Sequence, residues 1–281
     1  MKVPKRIEPL IDEGMVDEVI RQLMSGKEAN VYVVRCGDEI RCAKVYKDAE
    51  HRSFSKSANY QEGRKVKNSR QSRAMAKGTR FGRKMQEEVW QNAEVDALFR
   101  LAAAGVTVPT PYVCYEGVLL MELVTDADDM PAPRLNDVAL SAAQAVQLHA
   151  ELLHQVVIML CAGIIHGDLS EYNVLLGKHG LVIIDLPQAV NAAGNMNASA
   201  MLERDVANLA NYFGRFAPEL LDTQYGKEMW LLYESGKLKT DTELTGKIAL
   251  ETRVADVAGV LEEVNLAIKA EEARRLFLAG E

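Results

Sequence analysis

The sequence predicts an α+β fold in two lobes, a β-rich amino-terminal lobe over residues 1–122 and a mainly helical carboxy-terminal lobe over 123–281. Three observations predict it. Apolar and polar residues roughly alternate over 18–24, 31–35 and 40–46, with Ser25-Gly26 and Gly37-Asp38 between the runs. A period of two punctuated by turn residues reads as a three-strand meander. From Leu135 onward the pattern becomes mainly helical, and a polar connector carrying Asp126, Asp128 and Asp129 marks the change.

The elements follow in order. After the meander, Val89, Trp90, Ala93, Ala97, Leu98 and Leu101 recur at helical spacing over 87–101. Gly105 ends that helix, and Pro109 and Pro111 confirm the break. Val118 to Val124 is an apolar run that reads as a strand. Asn136 or Asp137 is positioned to cap a helix, and the helical pattern continues over 141–162. Residues 173–176 and 181–184 flank Gly177-Lys178-His179-Gly180 as a short hairpin, and the remainder reads as helix.

Composition narrows the class. The chain is 48% apolar and 26% charged, ordinary globular usage, which excludes a disordered, collagenous or disulfide-stapled protein. A formal charge of −7 by itself argues against a general nucleic-acid binder. That average hides a segment of opposite sign. Residues 50–84 hold eleven Lys/Arg against two acids, a net of +9, leaving −16 on the rest. The start, Met1-Lys2-Val3-Pro4-Lys5-Arg6, has no apolar core, so no signal peptide is expected. The longest apolar run, ten residues over 156–165, is too short to span a bilayer, so no membrane partner is expected. Cys36, Cys42, Cys114 and Cys161 show no paired spacing, as expected of reduced thiols in a cytoplasmic protein.

The strongest chemical signal is Ile164-Ile165-His166-Gly167-Asp168-Leu169-Ser170-Glu171-Tyr172-Asn173, followed by Val182-Ile183-Ile184-Asp185. An acid stands five residues before an amide, and a second acid twelve residues after it closes an apolar strand. Phosphoryl transfer uses such a set: one carboxylate to orient the acceptor hydroxyl and take its proton, an Asn oxygen and a second carboxylate to hold Mg²⁺. Singly, Asp168 and Asp185 also read as turn and cap residues; the combination favours the site.

Upstream, Ser25-Gly26-Lys27-Glu28-Ala29-Asn30-Val31-Tyr32 lies between two strands and precedes Cys42-Ala43-Lys44-Val45-Tyr46. A glycine-containing hairpin can offer backbone N–H groups to phosphates. It is not the mononucleotide loop G-x-x-x-x-G-K-[ST], since Arg21 and Glu28 stand at its first Gly and its hydroxyl positions. Alone it reads equally as a plain turn. Lys44 occupies an apolar strand on the same face as Cys42, and a lysine on a buried face needs an anionic partner. A phosphate and the carboxylate of Glu94, on the next helix, are the candidates; Glu87 and Glu88 share that helix.

These residues resemble the RIO-type atypical serine/threonine protein kinases. The resemblance rests on the loop at 25–32, Lys44, Asp129-Met130-Pro131-Ala132-Pro133, the run 166–173, and Ile184-Asp185 with Gln188, and covers roughly residues 15–220. It implies a two-lobed protein-kinase-like fold with ATP and Mg²⁺ in the cleft, Mn²⁺ being an alternative metal. It implies Ser/Thr phosphorylation, autophosphorylation included, and Ser25, Gly26, Lys27, Glu28, Ala29, Asn30 and Val31 at the phosphates. Lys44 would bind phosphate and pair with Glu94, and Asp168 would orient the acceptor. Asn173 and Asp185 would bind metal, and Met121, Glu122 and Leu123 would meet adenine mainly through backbone. Ser25 directly precedes Gly26, one residue shorter than the family's Ser-x-Gly form. Gly167 replaces the Arg of ordinary kinases, and Leu186-Pro187 the Phe-Gly after the metal Asp. No Ala-Pro-Glu motif follows at the usual place; Ala217-Pro218-Glu219 reads as a helix end. The carboxy-terminal lobe is therefore expected to be reduced, without an activation segment.

Three readings compete for chemistry. Besides a protein kinase, a small-molecule phosphotransferase of the aminoglycoside or choline kinase type shares the His-Gly-Asp-Leu loop. A ribosome- or RNA-binding ATPase switch, with Asp185 itself accepting phosphate, is the third. The basic insert carries Ser53, Ser55, Ser57, Ser69 and Ser72 with Phe54, Tyr60 and Phe81. It fits an RNA or ribosomal contact arm, an autophosphorylation site or a solvated loop. Val254, Val257, Leu261, Val264 and Ile268 form a short helical stripe, expected to pack on its own lobe. His166 is expected to support its loop, and His149, His154 and His179 to be ordinary side chains.

Overall fold

The computed structural model describes residues 3–26, 29–47 and 93–248. The basic insert, residues 87–92 of the helix expected around Glu94 and the stripe expected over 254–268 lie outside the described residues, as do Lys27 and Glu28. Residues Met1–Lys247 make one compact unit.

The amino-terminal part is one antiparallel sheet. A short helix, α1 (Glu8–Asp12), precedes the meander β1 (Glu18–Ser25), β2 (Ala29–Cys36) and β3 (Glu39–Tyr46). Helix α2, described over 93–103, leads to β4 (Pro111–Tyr115) and β5 (Val118–Glu122). The strand order is β1-β2-β3-β5-β4. Strand β4 is absent from the sequence prediction because Pro109 and Pro111 read only as a break. A proline is tolerated at the first residue of an edge strand, where no ladder N–H is required, and Pro111 occupies that position opposite Met121.

Register decides which face each residue takes. Val31 pairs with Lys44 and Lys44 with Leu119; Val33 pairs with Cys42 and Cys42 with Met121. Directly opposed residues share a face, so these line one side with Ala29 and Tyr46. The other side, Tyr32, Val34, Ala43, Val45, Val118 and Leu120, buries against Ile7 and Leu10 of the amino-terminal helix. Both faces of the inner strands are covered, which is why β2 reads as nearly continuous apolar residues.

The carboxy-terminal part is built on α3 (Ala142–Cys161). Asn136 and Asp137 belong to a separate 3₁₀ turn, Leu135–Asp137, and Ser141 is the cap. Ser141 Oγ accepts from Gln144 N–H at 3.3 Å and Gln144 Oε1 accepts from Ser141 N–H at 3.0 Å. This reciprocal box satisfies two otherwise orphaned donors. Ala145, His149, Leu152, Leu153, Val156, Val157, Met159 and Leu160 form its buried stripe. Leu152 and Leu160 are wholly buried, and truncating either to Ala would cost about 2–5 kcal/mol. His149 lies against Phe213 and Tyr225, and burial lowers its pKa to about 4, keeping the ring neutral.

Short strands follow: β6 (Ile164–Ile165), β7 (Val174–Gly177), β8 (Gly180–Ile183) and β9 (Val190–Asn191). β7 pairs with β8 as the expected hairpin, and β6 with β9. Helices α4 (Ala198–Phe213) and α5 (Tyr225–Glu234) complete the described residues, separated by a 3₁₀ turn, Pro218–Asp222. Ala217-Pro218-Glu219 therefore opens that turn, four residues past the end of α4. One apolar core joins α2, the inner sheet face and α3 to α5, including Leu101, Leu119, Leu160 and Phe213.

Candidate functional site

The inner sheet face carries a single lysine into that core. Lys44 Nζ lies 2.5 Å from Glu94 Oε1 and 3.1 Å from Asp185 Oδ1. The Lys44 side chain is 12% exposed and that of Glu94 4%, so the pair is shielded from solvent. Burial opposes the ammonium, but the Glu94 and Asp185 carboxylates outweigh it and hold Lys44 charged, its pKa raised. The Tyr46 phenol is pushed up by burial and by the Glu94 carboxylate beside it. The lysine expected to need an anion thus has two, from helix α2 and from the loop after β8.

The loop between β1 and β2 is described at its two ends. Ser25 pairs with Asn30 across the strands, and Ser25 Oγ donates to Asn30 Oδ1 at 2.8 Å. Gly26 N–H donates to Ala29 O at 2.9 Å, and Lys47 Nζ holds the Gly26 carbonyl at 2.5 Å. Ala29 and Val31 are buried on the Lys44 face.

The opposite wall is the segment from His166 to Gln188, held by backbone hydrogen bonds. Asp168 N–H donates to His166 Nδ1 at 3.3 Å, which makes Nδ1 an acceptor and assigns the ring proton to Nε2, 3.0 Å from the Ile184 carbonyl. Burial lowers the His166 pKa and keeps that neutral tautomer, so His166 fastens the loop. Asn173 Nδ2 donates to the Asp168 carbonyl at 2.8 Å, and Ile184 N–H donates to Asn173 O at 2.9 Å. The open end of the β7–β8 hairpin therefore brings Asn173 and Asp185 together. Asp185 stands at φ 65°, in the left-handed region that costs a residue other than glycine on the order of 1 kcal/mol or more. Burial raises its carboxyl, but Lys44 outweighs that and lowers the pKa below the ordinary carboxylate value.

These residues fit a hard divalent cation. The Asn173 amide spends its N–H on the Asp168 carbonyl, leaving an oxygen as donor, and the neighbouring Asp185 is ionised. Amide and carboxylate oxygens are what Mg²⁺ selects.

Five participants were not assigned a role from sequence. Asp205, 1% exposed on α4, accepts from Gly167 N–H at 2.7 Å and Leu169 N–H at 3.2 Å, gripping the loop on both sides of Asp168. Burial raises its pKa to about 7 against the two N–H groups and Arg204. An acid at a core position of a helix, flanked by Leu202, Val206 and Leu209, was the signal available. Arg204 holds the Gly167 carbonyl, and Asn208 Nδ2 holds that of Leu169 at 3.0 Å. Gln188 Nε2 donates to Asp168 Oδ2 at 3.3 Å, tying the acceptor carboxylate to the Asp185 loop. Arg134, just past the connector, places a guanidinium nitrogen 3.1 Å from Met24 Sδ at the end of β1.

The three connector residues take different surroundings. Met121 faces the inner core; Glu122 turns to Thr110, accepting from its N–H at 3.1 Å and its hydroxyl at 2.8 Å; Leu123 leaves the strand half-buried.

A five-stranded antiparallel sheet that lowers a buried lysine onto a metal-type Asp, above a His-Gly-Asp loop and a helical base, defines a reduced protein-kinase-like fold. Comparison with known proteins agrees. The RIO domain family profile matches residues 30–225. The chain is 36% identical over 211 residues to the RIO-type serine/threonine-protein kinase Rio1 of Haloferax volcanii, covering 73% of this chain and 67% of that one. It is 33% identical over 208 residues to human serine/threonine-protein kinase RIO1, covering 73% and 35%. The crystal structure of the Rio2 kinase–ADP/Mg²⁺–phosphoaspartate complex from Chaetomium thermophilum aligns at TM-score 0.54 and 18% identity, over 82% of this chain and 70% of that one. The Rio2 kinase of the same organism aligns at TM-score 0.57 and 18% identity, over 95% and 76%. This chain belongs to the RIO domain family. It spans about two thirds of the archaeal relative's length and about a third of the human one's.

Proposed function

We propose that this chain is an ATP- and Mg²⁺-dependent kinase that transfers the γ-phosphate to Ser/Thr hydroxyls. The observation that carries the reading is Lys44 Nζ between Glu94 and Asp185, 2.5 and 3.1 Å away. Two carboxylates keep an ammonium charged and aimed into the cleft, where it can hold phosphate. Asp168, oriented by the Gln188 amide, is placed to accept the proton of an acceptor hydroxyl. Asn173 and Asp185 would hold the metal, which supplies charge neutralisation at the transferring phosphoryl group. The two-lobe division at 122/123 goes with this reading, as does a cytoplasmic location, which four free cysteines support. An RNA or ribosomal partner for residues 50–84 rests on their net charge of +9.

One observation favours a second outcome at the same site. A structural relative is a phosphoaspartate complex, and Asp185 is the ionised carboxylate facing Lys44. Intact-mass measurement after incubation with Mg-ATP, with and without hydroxylamine, separates the two. A hydroxylamine-stable added phosphate supports Ser/Thr transfer, and a labile one supports an aspartyl phosphate at Asp185. No adduct and no ADP release would overturn the enzymatic reading.

A further inference from the structure

Arg134 occupies a position that the kinase reading leaves without a task. Its backbone is fixed on several sides. It forms a bridge with Leu175 of β7, and its carbonyl accepts from Asp137 N–H at 2.9 Å. On one side the Pro133 carbonyl accepts from Leu176 N–H at 2.9 Å; on the other Leu135 is wholly buried and its carbonyl accepts from Tyr212 Oη at 2.6 Å. An extended backbone (φ −70°, ψ 150°) so anchored throws the side chain in one direction.

That direction is across the cleft. An Arg134 guanidinium nitrogen lies 3.1 Å from Met24 Sδ, one residue before Ser25 where β1 enters the loop. Met24 pairs with Val31 and Val31 with Lys44, so Met24 belongs to the Lys44 face and the guanidinium meets that face at the start of the loop. A thioether is a weak acceptor and a guanidinium presents five donors. Among the described residues no carboxylate comes within ion-pair distance of it, whereas Lys44 has two. A half-buried guanidinium with so poor a partner is matched to a ligand that brings its own anionic oxygens, and the planar fork suits phosphate.

We propose that Arg134 is a direct ligand of the nucleotide's phosphate chain, entering from the connector side of the cleft opposite Lys44. Binding exchanges the Met24 thioether for phosphate oxygens, so the arginine reads the anionic tail of ATP and ADP and not the nucleoside. This rests on the proposed nucleotide site and adds a second fixed cation to it.

The test is calorimetric titration of the full chain with Mg-ATP, Mg-ADP and adenosine, for wild type, Arg134→Ala and Arg134→Lys. The expected result is a loss of about ten- to a hundredfold in ATP and ADP affinity in Arg134→Ala. Adenosine affinity should be unchanged and the lysine variant intermediate, with a shallower salt dependence of ATP binding in Arg134→Ala. Equal ATP affinities in wild type and Arg134→Ala would overturn the inference while leaving the kinase reading intact. Parallel losses for ATP and adenosine would overturn it too, since they mark a structural role. A wild-type chain that binds no Mg-ATP would instead defeat the kinase reading itself.

Discussion

The two walls of the cleft are held by different physics. On the sheet side, Lys44 and Glu94 are charges set into an apolar face, and their stability depends on each other. On the helical side, Asp168, Asn173 and Asp185 sit at solvent-facing ends of a frame made of backbone hydrogen bonds, through His166, Asp205 and Asn208. Removing a functional group should therefore damage the fold on the first wall and spare it on the second. The reason is that an unpaired buried charge costs several kcal/mol, while an exposed carboxylate on a frame made of other groups costs little.

The sharpest test of that contrast is Asp168→Asn. Phosphate transfer, followed as ADP release, should fall about 10²–10⁴-fold, with Tm and Mg-ATP affinity nearly unchanged. A large drop in Tm would show that the frame depends on the carboxylate and would break the comparison. Lys44→Met examines the other wall. It leaves Glu94 buried without its ammonium and should cost about 3 kcal/mol by denaturant titration. Adding Glu94→Gln should recover part of that, a coupling a double-mutant cycle reads directly. Additive costs would mean the two side chains contribute separately.

The smallest effect concerns the frame itself. Burial holds the Asp205 carboxyl at about 7, above its ordinary value of 3.8. The folded chain therefore binds this proton more tightly than the unfolded chain. The group's contribution to stability is full below the ordinary value and is lost as pH rises towards about 7. In Asp205→Asn that dependence disappears. The Tm difference between wild type and variant should shrink by a few degrees between about pH 4 and pH 7, measured by thermal melts across that range. A constant difference would show that the two N–H donors offset burial and keep Asp205 ionised throughout.

Legibility from sequence followed the range of the interaction. The meander, the β7–β8 hairpin and the long helix α3 were legible because period and turn chemistry are local. The cap moved from Asn136 or Asp137 to Ser141, since several capping residues stand close together and only the reciprocal bond with Gln144 distinguishes them. Strand β4 was hidden by its prolines, whose tolerance depends on lying at an edge. Asp168, Asn173 and Asp185 were legible because eighteen residues of chain carry all three. Asp205 and Arg134 were not assigned roles, because their partners lie 30 or more residues away in the chain.

By itself the sequence determined which groups are available and how they are spaced: a lysine on an apolar strand, an acid–amide–acid set around a hairpin, a glycine turn upstream. Those are properties of neighbours along a chain, set by periods of 2 and 3.6 residues. The sequence put forward Glu94, fifty residues from Lys44, as its partner, and the structure brings the two together; tertiary structure alone decided that Asp185 meets the lysine as well, from the other wall. It also decided that Asp205 carries the loop and that Arg134 crosses to Met24. Contacts between distant residues depend on strand register and core packing, which no local pattern encodes.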